Sequence, residues 1–189
     1  MLFDDKLSDI IRTLETDGVL LHPTDTVWGL ACSAHSRKAI EKILRLKKMD
    51  QKDGFTLLMD SLEMLKKHVP HIHPRIETLL HFHKKPLTVI YPKVKNIPSF
   101  ARNMDNSAAI RIILDPYCNE IIKLLGNPLI FTPAHFIGDL PPKSFNEISK
   151  SIIEHVDFIS KHRRKEYIKE QQSVMIDYNE EGEINFLRL

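Results

Sequence analysis

The chain has 189 residues, of which 42% are hydrophobic, and its 27 Lys and Arg against 25 Asp and Glu leave a formal net charge of +2. That length and apolar content suit one globular domain over 1–189 with a substantial core, and the near balance of charge removes any argument for a nucleic-acid partner from bulk charge alone. Cys32 and Cys118 stand in no CxxC spacing, which predicts buried thiols in a reducing compartment. The N-terminus is acidic and no apolar run approaches about 18 residues, so the expectation is a cytoplasmic protein without a membrane segment.

In chain order, Asp4 or Asp5 is placed to cap a helix whose apolar residues Leu7, Ile10, Ile11 and Leu14 recur at helical spacing, with Gly18 just past its end. Val19-Leu20-Leu21 reads as a buried strand and Gly29-Leu30-Ala31-Cys32 as another apolar segment. Between them, the polar insert from His22 to Trp28 carries two threonines and a carboxylate around a turn fixed by Pro23. Hydroxyls at a strand end lie where open α/β sheets collect ligands, while the same residues also suit a turn that satisfies its own backbone. The segment from Thr24 to Trp28 is predicted to form one wall of the only sizeable polar pocket. Ser36 is a candidate N-cap for a helix through Ala39, Ile40, Ile43, Leu44 and Leu46 that ends in Lys47-Lys48. A loop over 49–54, a short strand over 55–59 and a helical turn capped by Ser61 follow.

Five histidines, His68, His71, His73, His81 and His83, then crowd one segment. They lack cysteine partners and the pairs do not share a helix face, so the segment reads as a partly exposed helix opened by Pro74 and not as a metal site. Strands are predicted over 87–91 and 108–114, a helix opened by Pro116 and closed by Gly126, and a strand over 129–131 that delivers Thr132-Pro133-Ala134-His135 to its carboxyl end. Ser144 is expected to cap a helix bearing Ile148, Ile152 and Ile153, ahead of a strand over 156–159. The basic run 161–165 suits a solvated loop or a phosphate or RNA contact, and 174–176 with 184–187 suit a terminal hairpin. Strands interleaved with helices, with no repeat or linker, imply one α/β domain around a mixed sheet.

The string His22-Pro23-Thr24-Asp25-Thr26-Val27-Trp28-Gly29-Leu30 resembles the opening motif of the YrdC family, the threonylcarbamoyl-AMP synthases. Stretches similar to further family motifs follow in the family's order: KPLTVIYP at 85–92, SAAIRI at 107–112, NPLIFTPAH at 127–135 and SVMID at 173–177. The resemblance implies a single α/β domain with a twisted open mixed sheet and flanking helices. It also implies a nucleotide- and RNA-associated protein of the tRNA threonylcarbamoyladenosine pathway, forming threonylcarbamoyl-AMP from threonine, bicarbonate and ATP, with Mg2+ accompanying ATP if the chain is catalytic. Carried over by position, Thr24, Thr26 and Trp28 match the threonine side. Lys47, Ser107, Arg111, Thr132 and Ser173 match the nucleotide side, with Lys48 and Lys52 as neighbouring cations.

Departures from the family pattern fall where the charge chemistry belongs. The Lys-x-Arg-(x)3-Lys element corresponds to residues 47–53, where Met49 stands for the arginine and Asp53 for the second lysine. Ser-Thr-Ser-Ala-Asn becomes Phe131-Thr132-Pro133-Ala134-His135, and Pro133 lacks a backbone donor. Charge-assisted phosphate contacts are worth about 1.5–3 kcal/mol each, so two lost cations set catalysis in question. The segment Phe55-Thr56-Leu57 is closer to the YciO branch. The alternative is a non-catalytic paralogue that binds tRNA or double-stranded RNA through a concave basic surface of Lys47, Lys48, Lys52, Arg111, Arg163 and Arg164. A plain module for a small acid or nucleotide is the third reading.

Overall fold

Helix positions follow from apolar spacing and caps in this computed structural model, which describes residues 3–50, 53–169 and 172–189. Helix α1 (Leu7–Glu15) buries Ile10 and Leu14. Helix α2 (Arg37–Lys47) buries Ala39, Ile40 and Ile43, and Ser36 accepts from the Ala39 amide as predicted. Ser61 and Asp115 do the same for α3 (Leu62–His68) and α5 (Pro116–Leu125), and His73 accepts from the Arg75 amide ahead of α4 (Pro74–Phe82). Each such cap satisfies a donor that the helix leaves open and is worth about 1 kcal/mol.

The expected acidic cap of α1 is a correction. Lys6 is the N-cap and makes no side-chain bond. Asp5 turns inward, accepting from Tyr117 Oη at 2.7 Å, Ser160 Oγ at 2.6 Å and the amides of Lys161 and His162. A buried carboxylate needs that many donors to offset its desolvation, so Asp5 pins the N-terminal segment to residues 160–162.

The strands are β1 (Leu20–Pro23), β2 (Trp28–Ser33), β3 (Thr56–Met59), β4 (Leu87–Tyr91), β5 (Ala108–Ile112), β6 (Leu129–Pro133), β7 (Phe158–Ile159), β8 (Val174–Tyr178) and β9 (Ile184–Arg188). Among the described residues they form one sheet in the order β7-β1-β2-β6-β3-β5-β4-β8-β9. Pairs β1–β7, β3–β5 and β4–β8 are parallel and the other five are antiparallel, so the sheet is mixed. Helices α1 and α5 pack on each other, α1 also on β1 and β2, and α5 also on β3, while α2 lies on β2. Leu57, Leu58, Ile110, Leu129 and Ile130 at the middle of the sheet are buried on both of its faces, which gives continuous apolar runs in place of alternation.

Two further expectations are revised. No continuous helix follows Ser144. A 3-10 turn (Phe145–Glu147) ends at Ile148, whose extended backbone holds a buried side chain, and α6 (Lys150–Ile153) starts afresh after Ser149. Glu147 closes that turn backward, accepting from Ser144 Oγ and the Lys143 amide, both at 2.9 Å. The strand expected over 156–159 contracts to β7, because residue 157 turns its carboxylate onto the Val19 amide at 2.8 Å.

Candidate functional site

The Thr24 to Thr26 turn links β1 to β2 and closes on itself. Thr24 Oγ1 donates to the Val27 carbonyl at 2.9 Å and accepts from the Thr26 and Val27 amides, and the two threonine hydroxyls lie 3.0 Å apart. Arg111 on β5 donates from Nη1 to Thr26 Oγ1 at 3.1 Å and pairs through Nη2 with Asp25. Arg163 donates to the Thr24 carbonyl and to Asp115, each at 3.2 Å. Trp28 sits edge-on to the Phe145 ring, with centroids 5.3 Å apart. Thr24, Thr26, Trp28 and Arg111 are all buried, at 0–3% exposure. The structure therefore places the predicted threonine-side residues behind the site and not on its surface: the two threonine hydroxyls are engaged by protein partners, while Trp28 Nε1 and Arg111 Nε are buried without one among the described residues.

The open, charged concavity lies on the sheet face that crosses β6, β3, β5, β4, β8 and β9. It encloses about 780 Å3 and is lined by Lys47, Met49, Asp53, Gly54, Phe55, Thr56, Ile90, Asn103, Met104, Asp105, Ala109, Phe131, Thr132, Pro133, His135, Ile137, Gly138, Met175 and Arg188. Strand register explains the row across its floor, since Phe131 pairs with Thr56, Thr56 with Ala109, and Ala109 with Ile90, so their side chains share one face. Gly29 is needed beneath that floor. A Cβ there would lie 2.1 Å from the Phe131 ring, so the glycine of the first motif lets Phe131 lie flat as cavity lining. A second cavity, about 810 Å3 and lined by Phe3, Asp5, Lys6, Leu7, Ser8, Leu114, Pro116, Asn119 and Glu120, corrects the expectation of a single sizeable pocket. It has one cation and two carboxylates in its lining, and none of the family-like motifs reaches it.

At the β6 end of the main cavity, Lys47 is buried at 3% exposure. Its ammonium donates to Thr132 Oγ1 at 2.6 Å and to the Pro133 carbonyl at 2.7 Å. Those acceptors are neutral, and no carboxylate among the described residues stands within ion-pairing distance. Burial pulls the Lys47 pKa down to about 8, with Asp53 acting weakly in the opposite sense. Met49 lies beside it, Sδ 4.0 Å from Thr132 Oγ1. Asp53 lines the cavity but uses one carboxylate oxygen to accept from the Asp50 amide at 2.7 Å, which folds its own loop. His135 lines the same end, its pKa lowered by burial and by Lys47.

At the other end stands Arg188, which sequence reasoning missed. It donates to the Ser173 carbonyl at 3.0 Å and Ser173 Oγ at 3.1 Å, and Ser173 Oγ is 2.8 Å from Thr88 Oγ1. Burial, with like-charged Arg111 nearby, lowers its pKa. Ser107 is tucked under the rim, donating to Asp105 and accepting from Asn103. Asn103 and Asp105, also missed, reach the cavity from a loop whose sequence shows only polarity. A single arginine in the apolar run of β9 was the one available signal for Arg188.

The remaining predicted cations scatter. Lys48 is exposed in a left-handed C-cap at φ 53 and does not line the cavity, and Lys52 lies outside the described residues. Arg163 is tied to Asp115 and Glu166, while Arg164 lies over the Phe145 ring at 4.9 Å and donates to the Ile159 and Ser160 carbonyls. The five described members of the six proposed RNA-facing cations do not make one concave basic surface.

The chain is 28% identical over 145 residues to the threonylcarbamoyl-AMP synthase of Yersinia enterocolitica, an alignment spanning 75% of this chain and 76% of that protein. Its fold superposes on E. coli YciO with a TM-score of 0.83 at 20% identity, covering 96% of this chain and 87% of the other. The P. abyssi Sua5 structure complexed with L-threonine also gives 0.83 at 20% identity; this chain is covered over 96% of its length and spans 53% of the Sua5 chain. No helix of the described residues is long and apolar enough to cross a membrane. A family model described as telomere recombination, Sua5/YciO/YrdC, matches residues 12–189, and the chain belongs to that family.

Proposed function

We propose that the cavity binds ATP and threonine and forms threonylcarbamoyl-AMP. The observation that carries this reading is Lys47, a buried ammonium on the cavity lining whose two acceptors are both neutral. An unpaired buried cation costs folding free energy; an anionic phosphate removes that cost and gains a charge-assisted bond. Thr132 and the Pro133 carbonyl aim the ammonium, and Arg188, set by Ser173, offers a second cation to the same ligand. The named relative that makes threonylcarbamoyl-AMP and the neighbour complexed with L-threonine support the choice of substrates.

In this reaction the threonine amine and bicarbonate condense to a carbamate with loss of water. A carbamate oxygen then bonds the α-phosphorus of ATP, the bond between the α-phosphorus and its bridging oxygen breaks, and pyrophosphate leaves. Lys47 is placed to neutralise charge that builds on the phosphates, and the apolar floor of Phe131, Ile90, Ala109 and Met175 restricts water around the carbamate. ATP enters as its magnesium complex. Asp53 and Asp105 are the lining carboxylates that fit such a cation, which takes one or two carboxylates beside phosphate oxygens. Arg111, Asp25, Thr24 and Thr26 act as the support behind the cavity that holds β5 against the β1–β2 turn. The test is pyrophosphate release by the full chain with ATP, threonine and bicarbonate. Threonine-dependent release supports synthase activity, whereas ATP binding with no release identifies a paralogue that retains the nucleotide site alone.

A further inference from the structure

His135 stands two residues beyond Pro133, where its backbone amide donates to the Pro133 carbonyl at 2.9 Å and so turns the chain sharply at the end of β6. The turn lays the imidazole on the cavity lining beside Lys47. Its two ring nitrogens meet different surroundings. Nδ1 is buried and has no hydrogen-bond partner among the described residues, Nε2 is not among the buried unpartnered atoms, and the residue lines the cavity. An imidazolium needs acceptors for two N–H groups and a neutral ring for only one. A proton on Nδ1 faces no acceptor among the described residues, and a buried donor left unmade costs more than a vacant lone pair beside apolar atoms. The charged groups that face the ring are Lys47 from α2, which repels an imidazolium, and Asp139 from the loop after β6, which attracts one; Asp53 and Asp105 are the other carboxylates in the lining. Burial and Lys47 outweigh Asp139 and hold the ring below its ordinary pKa.

We infer that His135 is a neutral hydrogen-bond donor to a phosphate oxygen of the ligand, its proton fixed on Nε2 and aimed into the cavity. The inference rests on the nucleotide reading above and deepens it. Two neighbouring elements make such a donor necessary. Pro133 has no N–H to give, and its carbonyl is occupied by Lys47 and the His135 amide. His135 is therefore the donor that this end of β6 supplies to an anion, with Lys47 supplying the charge. A second cation at this position would repel Lys47, and a neutral donor adds a directed bond without that repulsion.

Two measurements on the full chain test it. Nitrogen-proton correlation spectra of 15N-histidine-labelled protein should show His135 as the neutral Nε2–H tautomer throughout pH 6 to 8, before and after MgATP is added. Calorimetric titration with MgATP should show His135→Ala weakened about tenfold, His135→Asn, whose carboxamide keeps a neutral N–H, restored to within about twofold of the parent, and Lys47→Met weakened independently. An Nδ1–H tautomer or an imidazolium at pH 7 overturns the inference. So does His135→Ala binding like the parent while Lys47→Met loses affinity, an outcome that leaves the nucleotide reading standing. Failure of the parent protein to bind MgATP overturns both.

Discussion

The Thr24 to Thr26 turn and the Lys47 end of the cavity are made of similar groups, threonine hydroxyls gathered around a long basic side chain. They differ in what meets the charge. Arg111 faces a carboxylate and a hydroxyl, Asp25 and Thr26, and is itself buried at 3% exposure. Lys47 faces a hydroxyl and a carbonyl, both neutral, with open volume beyond. A buried charge matched by its counter-ion is architecture; one left unmatched is poised for a ligand. The first motif is thus the support of the site, and the second its reactive end.

The largest expected effect breaks the support. Arg111→Ala leaves Asp25 as a largely buried carboxylate without its cation, and removal of one member of a buried pair costs about 3–5 kcal/mol. Urea denaturation should show a lower midpoint with an unchanged slope. Lys47→Met should behave in the opposite way, with ligand-free stability equal to or above the parent and MgATP affinity down about 10- to 100-fold, the loss of one charge-assisted contact. If the two substitutions destabilise alike, the distinction between support and site fails.

The third effect is pH-dependent and smaller. Lys47 titrates near pH 8 in the free fold, below its ordinary 10.5. Below pH 8 the amine is charged in both folded and unfolded chains, so the burial penalty is fully present. Between about 8 and 10.5 the unfolded chain binds the extra proton, and this group's contribution to stability therefore rises with pH. A phosphate ligand favours the charged amine, so MgATP affinity should be level from pH 6.5 to 7.5 and fall above pH 8, approaching about tenfold per pH unit. In Lys47→Arg, whose guanidinium stays charged, any residual binding should lose that slope. Calorimetry across the range, corrected for buffer protonation, reads it directly.

The smallest effects sharpen the comparison at the two positions that depart from the family pattern. Met49 lines the cavity beside Thr132, and Met49→Arg should strengthen MgATP binding about tenfold at low salt, with the gain lost at high salt. Asp53→Lys should yield no comparable gain, since it also removes the carboxylate that accepts from the Asp50 amide. Equal gains from both would show that Asp53 acts through repulsion alone.

Much of the fold was legible because local chemistry and global packing agree. Ser36, Ser61 and Pro116 mark helix starts that the structure keeps, and the apolar runs around Leu20, Leu58, Ile110 and Ile130 became strands of the sheet. Asp5 misled because a capping residue and a buried acceptor look alike in sequence; Tyr117 and Ser160, far along the chain, decide between them. Ile148 misled because helical spacing does not reveal a residue held extended by core packing. In the site, Lys47 and Thr132 were readable from motifs, whereas Arg188 and Asn103 are brought in by strand order and loop path. The threonines were singled out as ligand-holding residues from their motif, but only the turn geometry and the position of Arg111 show that their hydroxyls are already engaged.

The central claim is that Lys47 is a buried cation held for an anionic ligand, and thermal unfolding of the parent and Lys47→Met, each with and without MgATP, tests it most directly. The account predicts that the parent melts at a higher temperature with MgATP, and that Lys47→Met without ligand melts no lower than the parent and gains little from MgATP. A Lys47→Met protein that melts well below the parent and still responds fully to MgATP would contradict it.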